Sequence, residues 1–573
     1  MAQRAAGQMN DQRPQTMWRT VTRLLLAANF FFGFAIIAML PPFEGIDETA
    51  HFSRFQSQMF APPVPRSEAQ KEENAPRLTQ DVFDYYRHGP MPYHWIGFDA
   101  LHQKDSLRGY MTYRDFFDKP ALDENYIRDY RQSALQSGYR PGPEFNWQYQ
   151  HPPLYYMLVG PAMKILVGHA SLVTVLFALR MISWILAFVG FSIGLLATRA
   201  YLVKKNLQGA EVLTTLGALY PFLMPAFFWE FARLGNDSMC LFFCGIAWAL
   251  LLWHLYRPKS EAWFFLGFVL GLGWLTKALM IPVTVGILAF VALHSFCVVR
   301  KSPTQAKNWW LTPLKFAGLV AFIGAPIYVL NYIFFGSLGP VVFTQAANTH
   351  DMWFHLQHNF SLHALYLGLQ NVFTTAVWLA GSWSYMIIDL PVHMALYVFM
   401  VFVMFSYHFA PRKSDPIFQL PLWMILPMLF GLIMHILTVM IVQDNDNTPG
   451  YYLHILAPAW ALIYSLGLKN LMDRKRLRPI IVTLVVSIIL INFFVVWGYA
   501  TAFAGCAIST LTVSPYYLLH TAEVLKCVGD MPLIFDRLGV LAWPSLALTG
   551  FGLTFVLLGI SGTLVCKQKV SVS

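Results

Sequence analysis

The sequence predicts an all-α integral membrane protein with about twelve transmembrane helices and a large helical first outer loop. Of its 573 residues, 56% are hydrophobic and 12% are charged, and the mean hydropathy is +0.48. Soluble globular domains carry about 25% charged residues. Many of the apolar runs approach the ~20 residues that a helix needs to cross a bilayer. These observations exclude a soluble domain.

The formal net charge of +10 would suggest a nucleic-acid partner in a soluble protein. In a membrane protein, lysine and arginine gather instead in the cytoplasmic loops. The basic segments "YLVKKN", "RKSPTQAK" and "KNLMDRKRLR" fit that pattern. We therefore expect membrane lipids, and no nucleic acid, around this chain.

Apolar runs define the predicted spans. Run 20–40 follows a basic N-terminus without a good cleavage site, so we expect a retained helix and no removed signal peptide. Segment 152–168 is ambiguous, because counting it as a span would turn every later basic segment outward; we expect an outer interfacial or re-entrant segment. The other predicted spans are 173–201, 210–228, 238–256, 261–277, 279–299, 312–335, 390–409, 418–440, 452–468, 479–498 and 541–565.

This topology places three long loops outside the cytoplasm. Segment 42–150 holds 16 of the 30 acidic residues against 12 basic ones, and it is rich in aromatic residues and proline. A loop this long with its own hydrophobic content is expected to fold. The predicted domains are a cytoplasmic N-terminus (1–19), the first transmembrane helix (20–40), a large extracytoplasmic loop with interfacial helices (41–172), transmembrane helices 2–7 (173–335), a second outer loop (336–389), transmembrane helices 8–12 (390–565) including outer loop 499–540, and a cytoplasmic tail (566–573).

The six cysteines have no metal-ligand spacing. Cys506 and Cys527 share one outer loop and could form a disulfide if that loop faces an oxidising compartment, a question that the sequence leaves open. The remaining four, which fall in apolar runs and are expected to be packing residues, are Cys240, Cys244, Cys297 and Cys566.

The stretch "LPPFEGIDETAHFSRF" opens the first outer loop directly after the first apolar run. Asp47 and Glu48 therefore lie near the outer membrane surface. A carboxylate there can act as a general base on a substrate hydroxyl, or it can simply start a solvated loop. His51 and Arg54 follow Asp47 at i+4 and i+7, which predicts one helical face carrying all three groups.

Isolated cations near the outer surface are a second signal. Lys277, in "GLGWLTKALMIP", lies between two apolar runs, where a lysine is costly unless it reaches lipid headgroups or binds an anion. Arg180, in "FALRMISW", is predicted at the outer end of its helix. Both are candidates for contact with a phosphate.

The stretch "YPFLMPAFFWEFARLGNDSM" places four polar residues in one short outer turn. Asn236 and Asp237 are strong helix N-cap residues. Capping and substrate contact are compatible, so Asp237 could also hold sugar hydroxyls. Glu230 and Arg233 share this turn.

Three of these motifs in order resemble the GT-C membrane glycosyltransferases: the acidic pair, the closing "HPPLYY" segment (151–156) and "RLGND". More narrowly, Pro-x-x-x-x-Asp-Glu-x-x-His resembles a large, poorly characterised bacterial group. The resemblance covers the first ~280 residues best. It implies an enzyme of the bacterial cytoplasmic membrane, with its active site on the extracytoplasmic face.

The resemblance also implies chemistry. Such enzymes pass a monosaccharide from a polyprenyl-phosphate carrier to an acceptor, usually with inversion; here a lipid- or glycan-type acceptor is expected. Asp47 would be the general base, Glu48 would position the acceptor or a divalent cation (Mg or Mn), and Lys277, in "LTK", would bind the donor phosphate. No spacing in the sequence demands a metal. The substrate-binding candidates are His51, Arg54, His151, Tyr155, Arg180, Glu230, Arg233, Asn236, Asp237, Lys277, Tyr452 and His454.

The chain departs from this family in the outer turn "VQDNDNTPGYYLHILAP". Related proteins read Gly-Arg-Tyr where this chain has Gly-Tyr-Tyr, so His454 or the tyrosine hydroxyls would have to replace the arginine. Asp444 and Asp446 lack the rest of a calcium loop and are expected to be solvated.

Two other function classes are possible for a polytopic membrane protein. A transporter or flippase of a lipid-linked or small polar substrate would place ionisable groups near the bilayer midplane and break helices in corresponding halves. The acids lie instead in loops, and the first outer loop has no counterpart later in the chain. A glycan polymerase or ligase would concentrate histidine and arginine in a late outer loop, whereas the motifs here come early.

Overall fold

The structure is a computed structural model. Segments that fall outside its described part include the turn with Asp444 and Asp446, the tail 566–573 and, apart from residue 552, the predicted span 541–565. The structure describes residues 2–62, 76–90, 92, 112–118, 135, 138–207, 209–257, 261–301, 311–335, 360–377, 382, 384, 386–388, 390–410, 415–443, 449–507, 509–513, 516–538 and 552.

Long apolar helices dominate the described residues, which confirms the α-helical integral membrane class. Within the described part of the chain, eight helices are long and apolar enough to cross a membrane, compared with about twelve spans predicted for the whole sequence. These eight are Thr16–Met39, Leu172–Lys204, Asp237–Tyr256, Met280–Cys297, Leu311–Ile333, Pro416–Leu437, Gly450–Asp473 and Arg478–Phe503.

The elements follow one another as short outer pieces and long apolar helices. The helices are α1 (Ala2–Met39), α2 (Glu48–Phe60), α3 (Gln80–His88), α4 (Tyr113–Asp118), α5 (Leu154–Leu166), α6 (Leu172–Lys204), α7 (Ala210–Ala218), α8 (Tyr220–Leu223), α9 (Ala226–Ala232), α10 (Asp237–Tyr256), α11 (Ala262–Trp274), α12 (Met280–Lys301), α13 (Leu311–Phe335), α14 (Leu362–Val377), α15 (Leu390–Phe409), α16 (Leu420–Gln443), α17 (Ala457–Asp473), α18 (Arg478–Phe503), α19 (Thr521–Lys526) and α20 (Met531–Leu538). The strands are β1 (Arg77–Thr79), β2 (Pro141–Phe145), β3 (Met386–Ile388), β4 (Ser509–Val513) and β5 (Tyr516–Leu519), and 3-10 turns cover Trp147–Gln150, Pro416–Phe418, Gly450–Leu456 and Cys527–Asp530.

The first outer loop contains α2, α3 and α4, as expected of a helical loop, but it also contains a small sheet. Strand β1 pairs antiparallel with β2, which returns the chain from the far end of the loop towards α2. The loop is therefore mixed, not purely helical. Helix α5 has 13 residues, about 20 Å of helix, which is short for a hydrocarbon core of about 30 Å.

The predicted span 210–228 is three short helices, α7 to α9, rather than one. Pro221 and Pro225 lack a backbone N–H and lie at the breaks. Carbonyls freed by the breaks are bonded by amides from neighbouring helices. Asn29 of α1 donates to the Ala218 oxygen at 2.9 Å, and Asn492 of α18 donates to the Phe222 oxygen at 2.8 Å.

The second and third outer segments share one sheet, although both were predicted as loops. Strand β5 pairs parallel with β3 and antiparallel with β4. A disulfide joins Cys506 to Cys527 across this third segment, with Cα atoms 6.0 Å apart. It answers the question that the sequence left open.

Close packing of α6 on α10 aligns the two helices that carry site residues. A β-carbon at Gly245 would lie 2.0 Å from the Gly190 oxygen, so only glycine permits this approach. The contact fixes the outer end of α6, where Arg180 lies, against the start of α10 at Asp237.

The two ends of the bundle carry different ion pairs. At one end, Glu211 pairs with Arg19 and Arg199, and Lys469 pairs with Asp473. Arg180 lies 19 residues before Arg199 on α6, or about 28 Å along the helix. We call its end the outer end, following the predicted topology.

Candidate active site

Asp47 stands at the N-cap of α2 with an unusual backbone conformation. Its φ of 63° is in the left-handed region, which residues other than glycine seldom adopt and which is often found at functional sites. The side chain is half-buried. The indole Nε1 of Trp147 donates to its Oδ1 at 2.8 Å, so the carboxylate has a fixed orientation.

Glu48 is completely buried and accepts four hydrogen bonds. The backbone N–H of Leu234 and Nε of Arg180 donate to Oε1 at 2.8 and 2.7 Å. The N–H of Gly45 and Nη2 of Arg180 donate to Oε2 at 3.1 and 2.5 Å. A carboxylate has about four acceptor positions, so Glu48 is fully used in holding the fold.

Arg180 is equally occupied. Besides Glu48, it donates to the carbonyl oxygens of Leu40 and Pro41 at 2.5 and 2.7 Å, so four of its five N–H groups are engaged. The pair ties the loop that carries Asp47 to α6. This geometry favours a structural role for Arg180 over the predicted contact with a donor phosphate.

A divalent cation does not fit between Asp47 and Glu48. All four acceptor positions of Glu48 are filled, and Oδ1 of Asp47 accepts from Trp147. Within the described part of the chain, no group of three or more His, Cys, Asp or Glu side chains is placed to hold a metal ion.

A buried chain of alternating charges lies where α9 ends and α10 begins. Arg233 donates to Glu230 at 2.6 Å through Nη2 and lies 3.6 Å from Asp237. Lys277 contacts both carboxylate oxygens of Asp237 at 2.9 Å. Arg233 also donates to the carbonyl of Ile46 at 2.7 Å, next to Asp47 in the chain.

Asn236 and Asp237, which could have capped a helix, only partly do so. Asn236 occupies the N-cap of α10, but its side chain makes no capping hydrogen bond. Its Nδ2 donates weakly to the Thr276 oxygen at 3.4 Å, and its buried Oδ1 has no partner among the described residues. Asp237 pairs with Lys277 instead of capping.

Helix α2 packs on α5 through the predicted polar face. His51 shares a 2.7 Å hydrogen bond with the hydroxyl of Tyr156. Burial, followed by the charge of Arg233, lowers the pKa of His51 well below its usual value, so the imidazole is neutral at pH 7. Its Nε2 has no partner among the described residues and faces Gly235, 3.9 Å from where a β-carbon would lie.

Arg54 and His151 lie on the same side of α2. Arg54 donates to the carbonyls of Gln148 and His151 at 2.6 and 2.7 Å and stacks on the rings of Tyr149 and Tyr156. It has no carboxylate within ion-pair distance among the described residues. Burial and the nearby charges of Lys277 and Arg54 lower the pKa of His151.

The aromatic candidates divide into two groups. Tyr452 is half-buried, and the Lys277 ammonium lies 4.3 Å from its ring centre, so it belongs to the site. Tyr155 bonds Ser183 of α6 at 2.6 Å and fastens α5 to the bundle.

His454 is buried away from the site. Its ring nitrogens bond the Tyr220 hydroxyl at 2.7 Å and the Ala376 oxygen at 2.9 Å. Both nitrogens are therefore engaged, and the ring offers no free position to a substrate.

Asp47 differs from the other acids that the sequence predicted for the site. Of Asp47, Glu48, Glu230 and Asp237, it is the one without an ion pair to any described residue. It nevertheless lies within electrostatic range of Arg233, and of the side chains of Tyr156, Tyr451 and Tyr452. With Oδ1 held by Trp147 and no ion pair among the described residues, the Asp47 carboxylate has an oxygen available to accept a proton.

Sequence reasoning missed two residues. Trp147 orients Asp47 from 100 positions away, and Glu44 is buried three residues before Asp47. The aromatic-rich stretch "EFNWQYQHPP" was a signal for the first. Nothing in the sequence marks Glu44 apart from its neighbours.

Comparisons with known proteins give limited similarity. No family model matches the chain, and no curated protein matches it significantly. Among solved structures it is similar to ArnT from Cupriavidus metallidurans, in the apo state and bound to undecaprenyl phosphate, at 12% and 13% identity. Each match covers 72% of this chain and 67% or 68% of ArnT, with a TM-score of 0.36. Similarity at this level does not indicate an activity for this chain. Any functional assignment therefore depends on the geometry of the site.

Proposed function

We propose that this protein is a membrane glycosyltransferase of GT-C type. It moves a monosaccharide from a polyprenyl-phosphate carrier to a lipid- or glycan-type acceptor, with Asp47 as the general base. One observation carries the proposal: Asp47 is the half-buried carboxylate of the site that has no ion pair among the described residues, is oriented by Trp147 and lies within electrostatic range of the buried Arg233. The motifs that resemble GT-C enzymes meet at this point.

The proposed reaction assigns a role to each group. The acceptor hydroxyl gives its proton to Asp47 while its oxygen attacks the anomeric carbon. The bond between that carbon and the phosphate oxygen breaks, and the polyprenyl phosphate leaves with the electron pair. Attack opposite the leaving group inverts the anomeric configuration.

Positive charge near the leaving phosphate stabilises the transition state. Lys277 and Arg233 supply it in this proposal, and each also forms an ion pair with a carboxylate, Asp237 and Glu230 respectively. Arg54 adds a cation without a carboxylate partner among the described residues. His151 and Tyr452 lie near Lys277 and offer neutral hydrogen-bonding groups.

The position of the site suits a lipid-linked donor. A polyprenyl chain lies in the bilayer while its phosphate and sugar reach the surface, so the reacting groups must lie at that boundary. Asp47 follows the end of α1 by eight residues. The disulfide in the third outer segment supports an oxidising compartment, which in a bacterium is the extracytoplasmic side of the cytoplasmic membrane.

The broken helix α7–α9 is the feature that favours the alternative, a transporter or flippase. In transporters the unwound backbone binds the transported ion or substrate. Here the freed carbonyls of Ala218 and Phe222 are bonded by Asn29 and Asn492. We therefore prefer the enzyme.

Donor turnover tests the proposed class. Purified protein in nanodiscs is given a panel of radiolabelled polyprenyl-phosphate sugars together with membrane lipid extract. The proposal expects one donor to be consumed and its label to appear in a new lipid or glycan. If no donor is bound or consumed while reconstituted vesicles move a lipid-linked sugar across the bilayer, the transporter replaces it.

A further inference from the structure

Glu44 is a buried carboxyl that the proposed reaction does not use. Its side chain has no solvent exposure and lies three residues before Asp47. The hydroxyl of Tyr113 donates to Oε2 at 2.6 Å, and the backbone N–H of Ser384 donates to Oε1 at 2.8 Å. One side chain therefore joins the Asp47 loop to α4 and to the second outer segment.

Backbone contacts near Glu44 also join the Asp47 loop to the second outer segment. Gly45 forms an isolated antiparallel bridge with Ser382. The Tyr499 hydroxyl of α18 donates to the oxygen of Met386, at the start of β3. The second outer segment is thus fixed on one side to the Asp47 loop and on the other to the third outer segment.

Helix α4 contacts the third outer segment at the end of α18. The Tyr113 ring packs on Phe503 at the end of α18, with centres 5.3 Å apart. Gly505 follows α18, and a β-carbon there would lie 2.9 Å from the Tyr113 oxygen. Three segments far apart in the chain therefore meet next to the Asp47 loop, because Glu44 bonds α4 and the second outer segment while α4 packs on the third.

We propose that Glu44 is a latch, which fastens α4 and the second outer segment to the Asp47 loop and so positions the proposed base. Its catalytic consequence rests on the proposed function, whereas the latch itself is a property of the fold. Glu44 is a positioning residue, because its contacts are with the protein.

The latch has a defined pH dependence. Burial raises the pKa of Glu44 to about 7, against the opposing effect of hydrogen bonds from Ser384 and Tyr113. Among the described residues, the phenols of Tyr86 and Tyr499 also face it. Burial raises the pKa of Tyr86 well above its usual value, so this phenol stays neutral at these pH values. Glu48, four residues later in the chain, forms an ion pair with Arg180.

If the Asp47 loop separates from α4 and the second outer segment, a change we call opening, Glu44 becomes exposed to water and its pKa returns to about 4.5. The closed form binds the proton more tightly, so opening becomes more favourable as the pH rises from 4.5 through 7. With these two values the opening constant increases about tenfold between pH 6 and pH 8.

Hydrogen exchange in nanodiscs tests the latch without any substrate. Peptides covering 112–118 and 384–388 are followed at pH 6 and pH 8, after correction for intrinsic exchange rates. We expect about tenfold more opening at pH 8 in the wild type. Glu44→Gln, which mimics the protonated carboxyl, should protect these peptides equally at both pH values. Glu523→Gln, an exposed carboxylate of the third outer segment, is the matched control and should behave as the wild type.

Tyr113→Phe is a second variant, should Glu44→Gln fold poorly. It removes one hydrogen bond and keeps Glu44, so opening should increase at both pH values while the pH dependence remains. An unchanged wild-type protection between pH 6 and pH 8, or the same tenfold change in Glu44→Gln, overturns the latch.

Turnover forms a separate arm. With a donor in hand, wild-type kcat should fall above pH 7, and Glu44→Gln should retain activity there with the donor KM unchanged. If hydrogen exchange shows the expected pH dependence but no donor is turned over, the proposed function is overturned and the latch remains supported. If a donor is turned over but hydrogen exchange does not change between pH 6 and pH 8, the latch is overturned and the proposed function remains supported.

Discussion

The indole Nε1 of Trp147 lies 2.8 Å from Oδ1 of Asp47 and donates a hydrogen bond to it. The two residues are 100 positions apart, at the beginning and near the end of the first outer loop. Asp47 is held in a left-handed backbone conformation at the same time. The folding of the whole loop therefore sets the direction in which the proposed base points.

Trp147→Phe should lower kcat with little effect on donor affinity. The phenyl ring keeps most of the packing but cannot donate to the carboxylate. Hydrogen bonds to charged groups contribute about 1.5–3 kcal/mol, which corresponds to a loss of about 10- to 100-fold in rate. Steady-state kinetics measure it. Trp263→Phe, on α11, is the control; an equal loss there would mean a general effect on folding.

Glu48→Gln or Arg180→Met alone should strongly destabilise the protein. Each leaves a buried, uncompensated partner, which costs about 3–5 kcal/mol. The double variant should recover part of the loss, because both charges are removed together. Thermal unfolding in detergent compares the three; a double variant with the summed loss of both singles would contradict the pairing.

Stability should fall as the pH drops below 6.5, in part because of His51. Burial and Arg233 hold the pKa of His51 well below 6.5 in the folded protein. The unfolded chain therefore takes up the proton first, and folding loses free energy as the pH decreases through 6.5. In His51→Gln this part of the decline should disappear. Melting temperatures between pH 5 and pH 7.5 provide the measurement; identical slopes in both proteins would contradict it.

Reduction should weaken the third outer segment. The disulfide between Cys506 and Cys527 closes a loop with a sequence separation of 21, for which chain-entropy arguments give about 3 kcal/mol. A reductant should lower the melting temperature of the wild type. Cys506→Ser should start from the lower value and show no further response. A reductant-sensitive serine variant would place the effect elsewhere.

The sequence predicted the long helices well, since an apolar run of sufficient length has few other stable forms in a bilayer. The run 173–201 is α6, Leu172–Lys204. Hydropathy does not reveal where such a run breaks, although prolines in the sequence mark candidate positions. The run 210–228 became three helices because Pro221 and Pro225 interrupt it and side-chain amides from α1 and α18 bond the freed carbonyls.

The candidate site was predictable in its location but not in its pairings. The motifs brought Asp47, Glu48, Arg233 and Lys277 to one end of the bundle. That Glu48 pairs with Arg180 across 132 residues depends on how α6 packs, which local sequence does not specify. Ion pairs distinguish Glu48, Glu230 and Asp237 from Asp47, which has none among the described residues.

Comparing Asp47→Asn with the wild type tests the central claim most directly. With the donor identified by the turnover panel, both donor binding and sugar transfer are measured for each protein. The proposal predicts that Asp47→Asn binds donor with unchanged affinity but transfers sugar at least about 1,000-fold more slowly, because the amide cannot accept the proton. Transfer by Asp47→Asn at the wild-type rate would contradict the assignment of Asp47 as the base.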